Sequence, residues 1–427
     1  MKMADRHFVW LALLLLSGLI GGCGSTVLRQ GASALEEGQY DQAIAYFQTA
    51  LEKDPADVRA LSGLGRALYH QKKYAEAETH LAHAQSAAPE NGLVALYLGL
   101  SRERQENLSG AEAAYETYLA TNPSSKHARP IRGRLMYLRN EKLRQQAREA
   151  VRLEQSLSSD TSGLPTVAVL PFALTGAADS LRPLGKGLAA AVTYDLFQVK
   201  SIRVLERLRL QEVINELKLT ESGFVDTASA PRVGRLIGAN HLINSSLDFI
   251  GGENVAVQSG IVEPADDRFK VALISEETFT RIWKIQKDIT FAVLDTLGIE
   301  LTPQERNAIE KIPTEKFPAF LAFSRGIEHL DRGEYDQANE SFAQASALDP
   351  GFDQAKALEQ DTELLIEGSQ SIGDFETSMA AELTTDTQFD IGPADGFFYI
   401  AEPVTDPRTD DEPPVETGTT SVGGTIP

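Results

Sequence analysis

Thr166-Val167-Ala168-Val169-Leu170-Pro171-Phe172 decides the fold. It is a short, β-branched, apolar run closed by a proline, the pattern of a buried strand. In Leu184–Phe197, Leu184, Leu188, Val192 and Leu196 recur every fourth residue, which places them on one helical face. Ile202–Leu205 reads as a second strand, and Leu208–Leu219 as a helix with Leu210, Val213, Ile214 and Leu217 apolar. Ala230–Ile237 is a further helix, with Gly238 where a C-cap belongs, and Leu242–Leu247 is a third strand. Strands alternating with helices of this length predict an α/β layer with a largely buried sheet.

Four strings in this block, VAVLPF (167–172), LGKGLAAAVTYDLF (184–197), VLERLRLQEVINEL (204–217) and GRLIGANHLINSSL (234–247), resemble the periplasmic domain of the CsgG-type curli assembly lipoproteins. They are similar, more distantly, to the N-terminal domain of TolB. The resemblance implies a domain that assembles into rings and supports an outer-membrane export channel, whose wall comes from long β-hairpin insertions. After Leu247 the chain runs through Gly251-Gly252 to Val262. This stretch is expected to lack the alternating strands of about 9–11 residues that a membrane barrel needs. The resemblance therefore implies the fold and an envelope role without a pore.

Working outward, the chain on the N-terminal side repeats itself. Pro55, Pro89 and Pro123 are 34 residues apart, as are Ala43, Ala77 and Ala111, Phe47, Leu81 and Tyr115, and Gly31, Gly65 and Gly99. That period, with small, aromatic and proline positions in this order, is the tetratricopeptide (TPR) signature. Arg129–Leu157 reads as a basic capping helix or pair, with Leu135, Leu138, Leu143 and Val151 apolar, and Ser156–Gly163 as a linker. On the C-terminal side, Phe279, Ile282, Trp283, Ile289, Val293 and Leu297 predict a helix on the sheet. Asn254–Val262 and Arg268–Ile274 are candidate extra strands, and Thr302-Pro303 starts a short helix. Gly326, Gly333, Tyr335, Ala338, Phe342, Ala345 and Pro350 repeat the TPR pattern. One such unit cannot cover its own apolar face. It is therefore expected to pack on a helix at Asp353–Glu367 and on the central domain.

At the start, Lys2 and Arg6 precede an apolar run of 13 residues, Phe8–Ile20, too short to span a bilayer. Leu19-Ile20-Gly21-Gly22-Cys23 resembles a bacterial lipobox, in which the cysteine thiol accepts the lipid. Cys23 is the one cysteine, so no intrachain disulfide can form. Gly24 follows it, and by resemblance to sorting rules in two-membrane bacteria the absence of aspartate there implies the outer membrane.

The formal net charge of -21 argues against nucleic acid or an anionic lipid surface as the main partner. From Gly368 onward there are 12 Asp or Glu against one basic residue, Arg408. With few apolar residues apart from Phe397-Phe398-Tyr399-Ile400, that tail reads as disordered. His80 and His83 share a predicted helical face but lack a third ligand, and read as surface residues. Gly185-Lys186-Gly187 falls at a helix start and lacks the preceding glycine of a phosphate loop. No Gly-x-Ser-x-Gly elbow is present. No enzymatic activity, metal or cofactor is expected.

The candidate binding site is the inner face of the TPR helices, carried over by register: Leu28, Leu35, Arg59, Arg66, Tyr69, His70, Leu96, Leu100 and Arg104. Three arginines on one concave face suit the carboxylates of a peptide. The expected organisation is a signal peptide (1–22), TPR repeats with a capping helix (23–157), a CsgG-like α/β domain (164–300), a helical region with one TPR unit (301–367) and a disordered acidic tail (368–427). The expected protein is a lipid-anchored scaffold on the periplasmic face of the outer membrane, binding envelope proteins or peptides and able to self-associate. A subunit of a curli-like secretion channel is one rival; an α/β ligand-binding domain is another.

Overall fold

The computed structural model describes residues 22–154, 163–219, 228–251, 254–266, 268–278 and 281–386. The signal segment up to residue 21, most of the 156–163 linker, Phe279 and the Phe397–Ile400 cluster lie outside the described residues.

Six helices come first: α1 (Gly22–Glu36), α2 (Tyr40–Lys53), α3 (Val58–His70), α4 (Tyr74–Ala87), α5 (Gly92–Glu103) and α6 (Leu108–Thr121). They form three antiparallel pairs, and the repeat explains why. A Cβ on Gly31 would lie 2.9 Å from the Phe47 ring, one on Gly65 2.5 Å from Leu81, and one on Gly99 2.5 Å from Tyr115. The glycines let each pair close on a large side chain that is wholly buried. Asp57 and Asn91 cap the next helix by accepting backbone N–H groups, just past Pro55 and Pro89.

The next helix, α7 (Ala128–Arg152), is one continuous element rather than a pair. Its first half places Ile131, Leu135 and Leu138 in the core of the array. Its second half places Ala147 in a different core, against Leu170, Leu210, Val213 and Val233.

That second core belongs to an α/β domain. In chain order it runs β1 (Thr166–Val169), β2 (Ala173–Thr175), α8 (Leu184–Phe197), β3 (Arg203–Val204), α9 (Arg207–Glu216), α10 (Ala230–Ile237), β4 (His241–Gly251), β5 (Asn254–Glu263), β6 (Arg268–Thr278) and α11 (Ile282–Thr296). The sheet order is β3-β1-β4-β5-β6, with β2 also on β4. The pairs β1–β3, β1–β4 and β2–β4 are parallel, while β4–β5 and β5–β6 are antiparallel hairpins. Val167 and Val169 enter the core shared with α8 and α11, whereas Ala168 and Leu170 enter the one beneath α9 and α10. Gly238 ends α10 at φ 75°, the left-handed cap its position predicts.

The expected lack of long strands after Leu247 is corrected. β4, β5 and β6 are 11, 10 and 11 residues long. Gly251, at φ 119°, begins the turn of the first hairpin instead of ending the sheet. Gly260 interrupts the apolar alternation of β5, because a Cβ there would lie 2.3 Å from the Phe269 ring on β6.

Four more helices follow: α12 (Pro303–Glu310), α13 (Phe317–Asp331), α14 (Tyr335–Leu348) and α15 (Asp353–Gly368). Thr302 caps α12 through a capping box with Glu305. The pair α13–α14 repeats the glycine device, since a Cβ on Gly326 would lie 2.5 Å from Phe342. Phe320, Phe323, Phe342 and Phe352 join Leu184, Leu188 and Val192 in one core, so this fourth repeat covers its apolar face on α8 and α15.

The expectation of disorder from Gly368 is corrected at its start. Ile372–Asp386 forms a helix, α16. Ser371 caps its start: its Oγ accepts from the Asp374 amide at 3.1 Å and donates to the Asp374 carboxylate at 2.6 Å.

Candidate functional site

Helices α3, α4 and α5 build an aromatic wall. The Tyr69 ring lies 5.4 Å from Tyr74 and 5.5 Å from Tyr97, and His70 stacks on Tyr40 at 5.0 Å. The Arg66 guanidinium sits 5.2 Å from the Tyr97 ring centre.

Helix α16 lies against this wall. Phe375 and Met379, one turn apart, are each 1% exposed and enter the core of the array. Each side chain contributes about 1.5–3 kcal/mol by leaving water. Between them, Glu376 accepts from Arg104 Nε at 2.8 Å and Nη2 at 2.7 Å, a two-pronged ion pair, and from the Tyr69 hydroxyl. Burial first, and then Glu376, pushes the Tyr69 phenol well above its ordinary pKa, so it stays a donor. The same carboxylate raises Arg104. Desolvation lowers His70, and the Arg66 charge adds to this.

The junction leading into α16 is fixed by Arg134 of α7. Its Nη1 donates to the carbonyls of Gly368 and Gln370 at 2.6 Å each, and its Nε donates to Glu103 at 2.8 Å. Tyr115 donates to the other Glu103 oxygen at 2.9 Å. The Arg134 guanidinium lies 5.5 Å from the Phe375 ring centre.

Of the nine expected groove residues, Tyr69 and Arg104 converge on one carboxylate. Arg66 and His70 belong to the aromatic wall. Leu28, Leu35, Leu96 and Leu100 are buried inside the array and hold it together. Arg59 stands apart: it turns back to Asp57 at 3.1 Å and is 51% exposed, so three arginines do not converge. Sequence reasoning missed Glu376, Phe375, Met379 and Arg134. The capping pattern at Ser371–Asp374, followed by Phe375 and Met379 four apart, is the signal that marks α16.

A second cluster lies between the α/β domain and the fourth repeat. Lys186 Nζ is 3.1 Å from Asp331 of α13, and Arg207 also pairs with Asp331. Beside it, a cleft of about 490 Å³ is lined by Tyr194, Phe197, Phe323, Ile327, Leu358 and Asp361, among others. Deeper between α8 and α11, Lys287 binds both Asp195 oxygens, at 2.9 and 2.8 Å. Among the described residues no three His, Cys, Asp or Glu side chains gather as a metal site.

The mixed sheet has α8 and α11 on one face and α9 and α10 on the other, and the segment that comparison with known families picks out runs from the end of α7 through β4. Residues 148–251 match CsgG, the curli production assembly/transport component. Residues 34–99 match the tetratricopeptide repeat. The chain thus joins a CsgG-type domain to a TPR array. Among solved structures it is similar to a TPR protein from Parabacteroides merdae, at 15% identity over 80% of this chain and 100% of that one, with a TM-score of 0.25. The TPR2AB domain of yeast Sti1 in complex with pHSP90 gives 12% identity over 82% and 100%, with a TM-score of 0.28. Yeast Tom70 gives 15% identity over 86% and 74%, with a TM-score of 0.27. No curated protein matches the chain.

Proposed function

We propose that this chain is a lipoprotein held at the periplasmic face of the outer membrane through Cys23, where it acts as a protein–protein scaffold in the assembly or export of an envelope structure. The observation that carries this reading is the union of a CsgG-type domain with a TPR array on one shared helix, α7. TPR arrays present grooves for peptides. The Tyr69–Arg104 wall has the chemistry to hold a carboxylate between apolar anchors. Several acyl chains at about 0.8 kcal/mol per buried CH₂ supply a stable anchor. The reading assigns no catalytic step and no cofactor: the buried charges Lys186, Asp331, Asp195 and Lys287 are engaged in ion pairs that join helices. The lengths of β4, β5 and β6 favour the rival channel reading. Against it, Val255, Val257 and Ile261 of β5 lie in the domain's own core.

The test is metabolic labelling with palmitate followed by membrane fractionation. Wild type is expected to carry label in the outer membrane. Cys23→Ser is expected to be unlabelled, and either soluble in the periplasm or unprocessed. An unlabelled wild type removes the anchor. A labelled chain that captures no envelope protein on cross-linking keeps the anchor and removes the scaffold.

A further inference from the structure

The helix that fills the groove belongs to the chain itself, and it is held through a few side chains rather than along its backbone. Among the described residues, no other element runs broadly against the α16 backbone. Among the described side chains, Phe375, Met379 and Glu376 hold α16, with the Arg134 junction at its start. Segments with few packed contacts are the first to open. Ile372–Asp386 carries Asp374, Glu376, Glu382 and Asp386 and no basic residue, so it is an acidic amphipathic helix. Tyr69, Tyr74 and Tyr97 stand on α3, α4 and α5 of the array and Arg104 caps the end of α5, so the receptor side chains are carried by the repeats and not by α16.

We propose that α16 is a displaceable plug in the first-array groove, and that the partner of this groove is an acidic amphipathic helix of pattern apolar-Glu-x-x-apolar presented by another protein. This rests on the scaffold reading for its biological setting, but not on the lipid anchor. The plug sets a threshold. Because α16 is tethered to α15 by residues 369–371, it re-enters at high effective concentration, and a partner must outcompete it. Release would also free the Gly368–Ser371 junction from Arg134 and so report binding to the rest of the molecule. The chemistry of the groove excludes a basic helix, since Arg104 would then face a like charge with Glu376 withdrawn.

The experiment uses the full chain and a fluorescent peptide with the sequence of residues 371–386. Wild type should bind the peptide at least about tenfold more weakly than a Phe375→Ala/Met379→Ala chain, whose own plug is loosened. A Glu376→Gln peptide should lose about tenfold on that variant, the worth of a charged hydrogen-bond pair. Equal binding by both chains, or no binding by a variant with native circular dichroism, overturns the proposal. Should the double variant not fold, hydrogen exchange on the Glu376→Gln full chain decides. Amides of 372–379 should exchange about tenfold faster than in wild type while those of α3 and α5 stay unchanged. Unchanged exchange in 372–379 overturns it. A stable wild-type dimer by light scattering that the double variant abolishes assigns the groove to a second copy and also overturns it. None of these outcomes depends on lipidation, so they separate from failure of the anchor.

Discussion

Lys186 shows what folding does to a single charge. Its sequence context, Gly185-Lys186-Gly187, suggests phosphate chemistry only weakly. In the folded chain it instead reaches across to Asp331 on the fourth repeat, beside Arg207. A Cβ on Gly187 would lie 1.9 Å from the Ser324 hydroxyl, so that glycine lets α8 approach α13. Burial pushes the Lys186 ammonium from its ordinary 10.5 down to about 8, and Arg207 and Arg332 add to the shift. Below pH 8 the lysine is protonated whether folded or unfolded, and stability is flat. Between about pH 8 and 10.5 the unfolded chain binds more protons, so stability rises with pH, by no more than about 1.4 kcal/mol per unit, and levels off above. Chemical denaturation of wild type and Lys186→Met should show their difference moving in favour of wild type across that window. A flat difference would mean that the amine is not desolvated. Partner choice was the least legible property at this scale. Register alone assembled Arg59, Arg66 and Arg104, yet Arg59 is held by Asp57, two residues away in the sequence, while Arg104 pairs with Glu376 of α16.

At the scale of elements, the repeat shows most clearly at its turns. Gly38, Lys72 and Glu106 stand one period apart, at φ 72°, 63° and 60°, and Gly333 takes φ 73° at the equivalent turn of the fourth repeat. Two repeats therefore place a side chain where the left-handed conformation costs it about 1–2 kcal/mol. Lys72→Gly and Glu106→Gly should each stabilise the array by about 1 kcal/mol in urea denaturation, while Gly38→Ala should destabilise it by a similar amount. Loss of stability in both glycine variants would show that these side chains repay the strain elsewhere. The 34-residue period made α1–α6 and α13–α14 legible because each device lies within one repeat. The β4–β6 hairpins were harder to read, since Gly251 and Gly260 look like breaks until their cross-strand neighbours are known. Helix α16 escaped for a related reason. Its signal spans nine residues, Ser371–Met379, inside a long acidic stretch, and an isolated helix of this length is marginal without a surface to dock on.

At the scale of the whole molecule, α7 ties the first array to the rest of the chain, packing on α9, α10 and α15 while α16 docks on the array separately, and the approach of α7 to α15 is backbone to backbone. A Cβ on Gly133 would lie 2.3 Å from the Leu364 carbonyl oxygen, and one on Gly368 2.1 Å from the Gly133 carbonyl oxygen. Two glycines 235 positions apart thus allow backbone-to-backbone approach, a pairing that no local pattern announces. The exposed Arg129–Glu367 pair, at 2.9 Å, lies along the same seam and adds little in water. The rest of α7 is shared, with Ile131, Leu135 and Leu138 in the array core and Ala147 in the α/β core. Close packing therefore dominates this seam, and a side chain there must force the helices apart. Gly133→Val should cost about 1–3 kcal/mol of overpacking and weaken the seam without opening either core. Calorimetry should then resolve two transitions where wild type melts more nearly as one, with the first array melting earlier and the α/β domain with the fourth repeat nearly unmoved. The variant should also raise hydrogen exchange in α16, because Arg134 neighbours Gly133 and fixes the junction at Gly368 and Gln370. A single transition displaced as a whole would show that α7 transmits folding along its own length and that the glycine seam is only a point of close approach.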